Sequence, residues 1–146
     1  MTASNNTRQQ ASDNLYHSRY VGTHMDVPFN NGILTLPADI SQTLLERQSD
    51  IGKSCLVATI DKFEGDFKAL RIWDIKSPLK EFSKHKVSYR IRAQKAPEDE
   101  LQFIIPHQIA EKTLLHSRVY LAASDDGETF TIWPYDTYFR AIGSKC

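Results

Sequence analysis

The stretch Ile33-Leu34-Thr35-Leu36-Pro37-Ala38-Asp39-Ile40 changes its hydrophobic period in the middle. Up to Leu36 it reads as a short strand, which Pro37 ends because proline brings no backbone N–H to a ladder. Beyond it Ile40, Leu44 and Leu45 recur at i, i+4 and i+5, the pattern of a short helix ending near Asp50. The same order returns later in the chain. Phe103-Ile104-Ile105-Pro106 is again an apolar strand running into proline, and Ile109, Ala110 and Leu114 follow in a second short helix. The shared Pro-x-x-Ile places the two stretches at an offset of 69 residues.

Outward from these anchors the parallel continues. Cys55-Leu56-Val57-Ala58-Thr59-Ile60 reads as a buried strand, Lys62 to Asp66 as a turn around Gly65, and Phe67 to Asp74 as a strand containing Ile72-Trp73. The later counterparts are Val119 to Ala123, the turn Ser124-Asp125-Asp126-Gly127, and Phe130 to Trp133, with the Ile-Trp pair at an offset of 60. An aromatic follows each pair, Phe82 or Phe139. Trp73 and Trp133 are read as core or inter-repeat anchors, with a subunit contact as the other use of such residues. Upstream, Tyr16 to Val27 has room for a short strand, and Pro28 to Gly32 forms a turn on its Asn31-Gly32 pair. Between the halves lie a short helix over Pro78 to Lys84 and a strand in which Val87, Tyr89, Ile91 and Ala93 alternate with polar residues.

These elements predict a β-rich α+β protein. Residues 1 to 15 lack the apolar groups that offset the entropy of ordering and are expected to form a flexible tail. Two units follow, 16–84 and 85–146. Each is too small to bury much alone, which points to one pseudo-symmetric domain with a shared core. A chain of 146 residues with 40% apolar content suffices for that core.

Several classes of function find no footing in the sequence. No apolar run approaches the length of a membrane span, and the first residues lack a secretory pattern, so a cytoplasmic protein is expected. Cys55 and Cys146 make neither a disulfide framework nor a metal knuckle. The acidic runs Glu98-Asp99-Glu100 and Asp125-Asp126 lack the ligand spacing of a calcium loop and read as turn chemistry. Gly52-Lys53-Ser54 resembles the end of a phosphate-binding loop, but Arg47 stands where that loop needs glycine. His17, His24, His85, His107 and His116 show no paired spacing for a metal on one helix face, and His107 reads as a capping or surface residue. Neither an enzyme nor a cofactor is called for.

The charge distribution is more informative than its sum. Lys+Arg and Asp+Glu both number 18, yet Lys76 to Lys95 holds seven cations and one acid, Glu81, a local charge of +6. Lys86, Arg90 and Arg92 fall on one face of the alternating strand with Ser88 and Gln94, and Lys84 and Lys95 flank it. His85 would add to the stripe when protonated. Three readings fit: a solvated face paired with acids elsewhere, a stripe that follows nucleic-acid phosphates, or a surface for an acidic protein. Short strands that are apolar on both faces also predict self-association, since exposed edges are commonly covered by another copy.

A strand, proline, short helix, strand, turn and strand ending in Ile-Trp, given twice between about Tyr20 and Ile142, resembles the MraZ family, tandem relatives of the AbrB-type swapped-hairpin domains. The strongest stretch is Phe103 to Phe139. The resemblance implies tandem repeats in a double-hairpin domain and a cytoplasmic DNA-binding transcriptional regulator assembled as a homo-oligomer. It also implies DNA contacts through an Asp-x-x-x-Arg motif ahead of the strand and proline of each repeat. Here the Asp, Gly and Arg positions fall on Phe29, Gly32 and Ile33 in the first repeat, and on Glu98, Leu101 and Gln102 in the second. Isoleucine cannot make the forked contact of arginine with guanine or phosphate, and glutamine makes a different one. DNA contact would then rest on Lys84, Lys86, Arg90, Arg92 and Lys95. The rival expectation is a diverged copy that serves as a structural or protein-interaction module.

Overall fold

Strands β1 (Thr23–Asn30) and β2 (Ile33–Thr35) are joined by Asn31-Gly32, whose φ values of 53° and 78° are both positive, as a two-residue hairpin of this hand requires. Helix α1 (Ala38–Arg47) follows Pro37, then β3 (Leu56–Phe63), β4 (Phe67–Trp73) and the single-turn α2 (Leu79–Phe82). The second half gives β5 (Tyr89–Lys95), β6 (Leu101–Ile104), α3 (His107–Lys112), β7 (Arg118–Ala123) and β8 (Phe130–Pro134). This computed structural model describes residues 17–48, 56–63, 67–96 and 100–135. The expected tail, Gly52-Lys53-Ser54, Cys55, Glu98, Asp99, Phe139 and Cys146 lie outside the described residues.

The eight strands close into an antiparallel barrel in the order β1-β2-β6-β5-β3-β4-β8-β7. Exchanging β1–β4 for β5–β8 leaves this pairing scheme unchanged. Such an exchange must set two strands opposite their own counterparts, and the register does so. Leu34 pairs with Phe103, the offset of 69, and Arg71 pairs with Thr131, the offset of 60. Every strand has a neighbour on both sides, but Thr59–Phe63 of β3 and Phe67–Ala69 of β4 extend beyond their ladders with β5 and β8 and keep a free edge there among the described residues.

Several element boundaries differ from expectation. β3 runs on through Lys62 to Phe63 because its ladder with β4 continues to Phe67, and α3 ends at Lys112, leaving Leu114 exposed at φ 59° instead of on an apolar helix face. β1 runs on through Pro28 and Phe29 to Asn30, because Phe29 is buried opposite Leu34 and the turn needs only Asn31 and Gly32. α2 is shorter than the stretch Pro78 to Lys84, and Pro78 stands just ahead of its first turn. β5 starts at Tyr89 rather than near Val87: its ladder with β3 ends at Ala58↔Tyr89, and Val87 is left exposed. A bulge between His24 and Val27, with Asp26 at φ 61°, bends β1 and restores its alternation.

The barrel is filled by inward residues of all eight strands, among them Phe29, Leu34, Leu56, Leu70, Ile91, Phe103, Leu121 and Phe130. Phe103 stacks with Phe130 at 6.1 Å, and Tyr20 meets Phe130 edge-on at 4.8 Å. β2 and β6 are antiparallel neighbours, so α1 and α3, which follow them, leave at opposite ends of the barrel. Both tryptophans are buried, but against the outer wall. Trp73 donates to Thr59 Oγ1 at 2.8 Å beneath Phe82 and His85, and Trp133 donates to Thr131 Oγ1 at 2.8 Å beside Phe63. No helix among the described residues is long and apolar enough to cross a membrane.

Gly127 holds the entering chain against the β7–β8 turn. Its φ is +71°, and an added Cβ would lie 2.7 Å from Arg19 Cβ and 2.8 Å from the Tyr20 carbonyl oxygen. The Gly127 carbonyl also accepts the Tyr20 N–H at 2.8 Å. Gly127→Ala therefore combines backbone strain with a clash and lowers stability by more than about 1 kcal/mol, measured by urea unfolding. An unchanged midpoint would show that this close approach contributes nothing.

Candidate nucleic-acid interface

β5 alternates buried Ile91 with exposed Arg90, Arg92 and Gln94 because its inner face closes the barrel between β3 and β6. Arg90 stands opposite Val57, Arg92 opposite Ile104 and Gln94 opposite Gln102. The guanidinium groups of Arg90 and Arg92 form no ion pair with the described residues. Residues two apart on one strand face lie about 6.7 Å from each other, close to the separation of successive phosphates on a nucleic-acid strand. An arginine pair so spaced, with no carboxylate partner among the described residues, is suited to an extended polyanion.

The other expected members of the stripe are placed differently. Lys86 precedes the strand instead of lying on it, since β5 begins only at Tyr89, but it is exposed next to the stripe's entry. Lys84 lies in the turn after α2, with its ammonium 3.0 Å from Glu81, so part of its charge is offset. Lys95 is exposed at the end of β5, one residue out of step with the arginines and in register with inward Leu101. His85 packs edge-on against Trp73 at 5.5 Å. His107 is an exposed residue paired with Glu111 at 2.8 Å. Asp126 performs turn chemistry: burial opposes its ionisation, but hydrogen bonds from the Glu128 N–H and the Ser124 hydroxyl hold its carboxyl below the usual range.

Alongside β5, β6 and β2 extend the same outer face. Gln94 Nε2 donates to Gln102 Oε1 at 2.9 Å, and Gln102 Nε2 donates to Thr35 Oγ1 at 3.2 Å, a polar row across three strands. The next row is Arg92, Ile104 and Ile33. Ile33 and Gln102, the positions where the motif arginines would stand, thus both belong to this face. The outward residues here are Arg90, Arg92, Gln94, Gln102, Ile104, Ile33 and Thr35, with no aromatic ring among them.

A second polar cluster was not foreseen. Arg47, with 0% of its side chain exposed, bonds Asp74 in a fork, Nε to Oδ2 at 2.7 Å and Nη2 to Oδ1 at 3.0 Å. Its Nη1 reaches Glu128 Oε1 at 3.0 Å and the Ser18 carbonyl at 2.7 Å. Tyr20 donates to Asp74 Oδ2 at 2.6 Å, and the guanidinium lies 5.0 Å from the Tyr20 ring centre. His17 Nε2 is 2.6 Å from Glu128 Oε1. Burial opposes the charge on Asp74, but hydrogen bonds from Arg47 and Tyr20 outweigh it and hold the carboxyl below the usual range. Burial and the neighbouring Asp74 carboxylate push the Tyr20 phenol far up, so it remains a donor. The cluster ties the entering chain, α1, the end of β4 and the β7–β8 turn together. Its signal in the sequence was faint: Arg47 follows Leu44 by three residues and Ile40 by seven, on the apolar side of α1.

No protein-family model and no curated protein matches the sequence.

Proposed function

We propose that this chain is a diverged tandem relative of the AbrB and MraZ type that binds duplex DNA through the outer face of β5, in a regulatory role. The observation that carries the reading is the pair Arg90 and Arg92, exposed on one strand face at phosphate-like spacing and without carboxylate partners among the described residues. Lys86 and Lys95 add charge at the two ends, and Lys84 contributes less because of Glu81. A homo-oligomer would repeat the stripe and supply avidity.

Arg90→Ala and Arg92→Ala together weaken binding to duplex DNA from the protein's own upstream region about tenfold or more at moderate salt, measured by mobility shift. Both side chains are exposed, so the barrel is expected to keep its stability. Unchanged affinity in the folded double variant would refute the assignment.

A second reading has its own support. Ile33 and Ile104 sit half-exposed beside Arg92 where a DNA-reading face would carry donors. This suits a module that binds an acidic protein, and it is favoured if no duplex binding is found.

A further inference from the structure

The outer face of β5, β6 and β2 holds more than phosphate-binding charge. Gln94 is exposed, and one of its amide hydrogens is committed to Gln102 Oε1. Gln102 is in turn tied to Thr35 Oγ1, so the row runs from the half-buried β2 outward and fixes the plane of the last amide. Gln94 keeps one carbonyl oxygen and one N–H without a partner among the described residues. An acceptor and a donor side by side on one planar group are what the major-groove edge of adenine meets, since its N6 amino group donates and its N7 accepts. Arg92 and Arg90 are the next two outward residues of the same strand, so phosphate contact and base contact would be made by one row of side chains.

Building on the duplex-binding reading, we infer that Gln94 reads an A·T pair in the major groove, with Gln102 as the positioning residue that orients its amide and Arg90 and Arg92 held on the adjoining phosphates. The ordered row matters because a free glutamine side chain would lose its rotamer freedom on contact, whereas this one has already given up part of it in the unbound protein.

The test is parallel selection of a random-sequence duplex pool by the full-chain wild type, Gln94→Ala and Gln94→Glu. The wild type is expected to enrich sites with a fixed A·T pair. In Gln94→Ala that position becomes degenerate, with discrimination there reduced on the order of 10-fold or more. Its salt dependence keeps the wild-type slope, because the two arginines assigned to the phosphates are untouched. In Gln94→Glu the preference moves toward cytosine, whose N4 amino group a carboxylate accepts. Gln102→Ala gives a partial loss at the same position. The inference is overturned if Gln94→Ala selects the same sequence as the wild type, or if the wild type binds duplexes but enriches none. In both cases phosphate binding by the arginines still stands. Absence of any duplex binding removes both readings together.

Discussion

Replacing Arg47 by methionine is expected to lower the unfolding free energy by about 3–5 kcal/mol, among the largest effects of any single substitution in the barrel. The reason is the charge left behind. Asp74 is 1% exposed in its side chain and would lose a forked, charge-assisted partner at 2.7 and 3.0 Å while staying out of water. Glu128 would lose its 3.0 Å partner as well. A double variant, Arg47→Met with Asp74→Leu, removes both members of the buried pair and should be less destabilised than the two single effects added together. Urea unfolding of the four proteins checks this, and strict additivity would deny the coupling. The same pair sets an acid limit. The folded carboxyl of Asp74 is held below its ordinary range, so its contribution is fully present above that range and is lost as pH falls below it through the depressed folded value. Arg47→Met should therefore flatten the acid side of the stability profile, measured as unfolding midpoint against pH.

Phe103→Ala is expected to cost about 3–5 kcal/mol as well, for a different reason. Phe103 is fully buried at the β2–β6 seam, opposite Leu34 on one side and Ala93 on the other. It stacks on Phe130, whose ring also meets Tyr20 edge-on. Truncation leaves a void at the centre of the pairing that joins the two halves, and the closed barrel limits how far its wall can relax into it. Thermal and urea unfolding should both report the loss. A cost below about 1 kcal/mol would mean that the seam is not packed around this ring.

Much of the barrel was legible in the sequence because its determinants are local and repeated. The proline after each apolar strand, the Asn31-Gly32 hairpin and the Ile-Trp pairs fixed element order, and the offsets of 69 and 60 reappear as the register partners Leu34↔Phe103 and Arg71↔Thr131. Closure into a single barrel was not legible, since strand alternation states which face is buried and not which strand lies next door. The β5 arginines were legible from alternation alone. Lys86 was misplaced because the start of β5 depends on where its ladder with β3 ends, a tertiary fact. Arg47 was missed because a charged residue on an apolar helix face normally reaches water, and only the meeting of Asp74, Glu128 and Tyr20 from distant parts of the chain makes its burial tolerable.

If Arg90 and Arg92 hold duplex phosphates, as proposed, duplex binding must depend on salt through both of them. Fluorescence anisotropy of a labelled duplex, titrated with full-chain wild type and with the Arg90→Ala, Arg92→Ala double variant from low to moderate salt, gives two slopes of log affinity against log salt. Salt-sensitive binding is expected of the wild type, and a slope shallower by about two of the variant, one for each lost phosphate contact. No binding by the wild type at low salt, or identical slopes for the two proteins, would contradict the proposal.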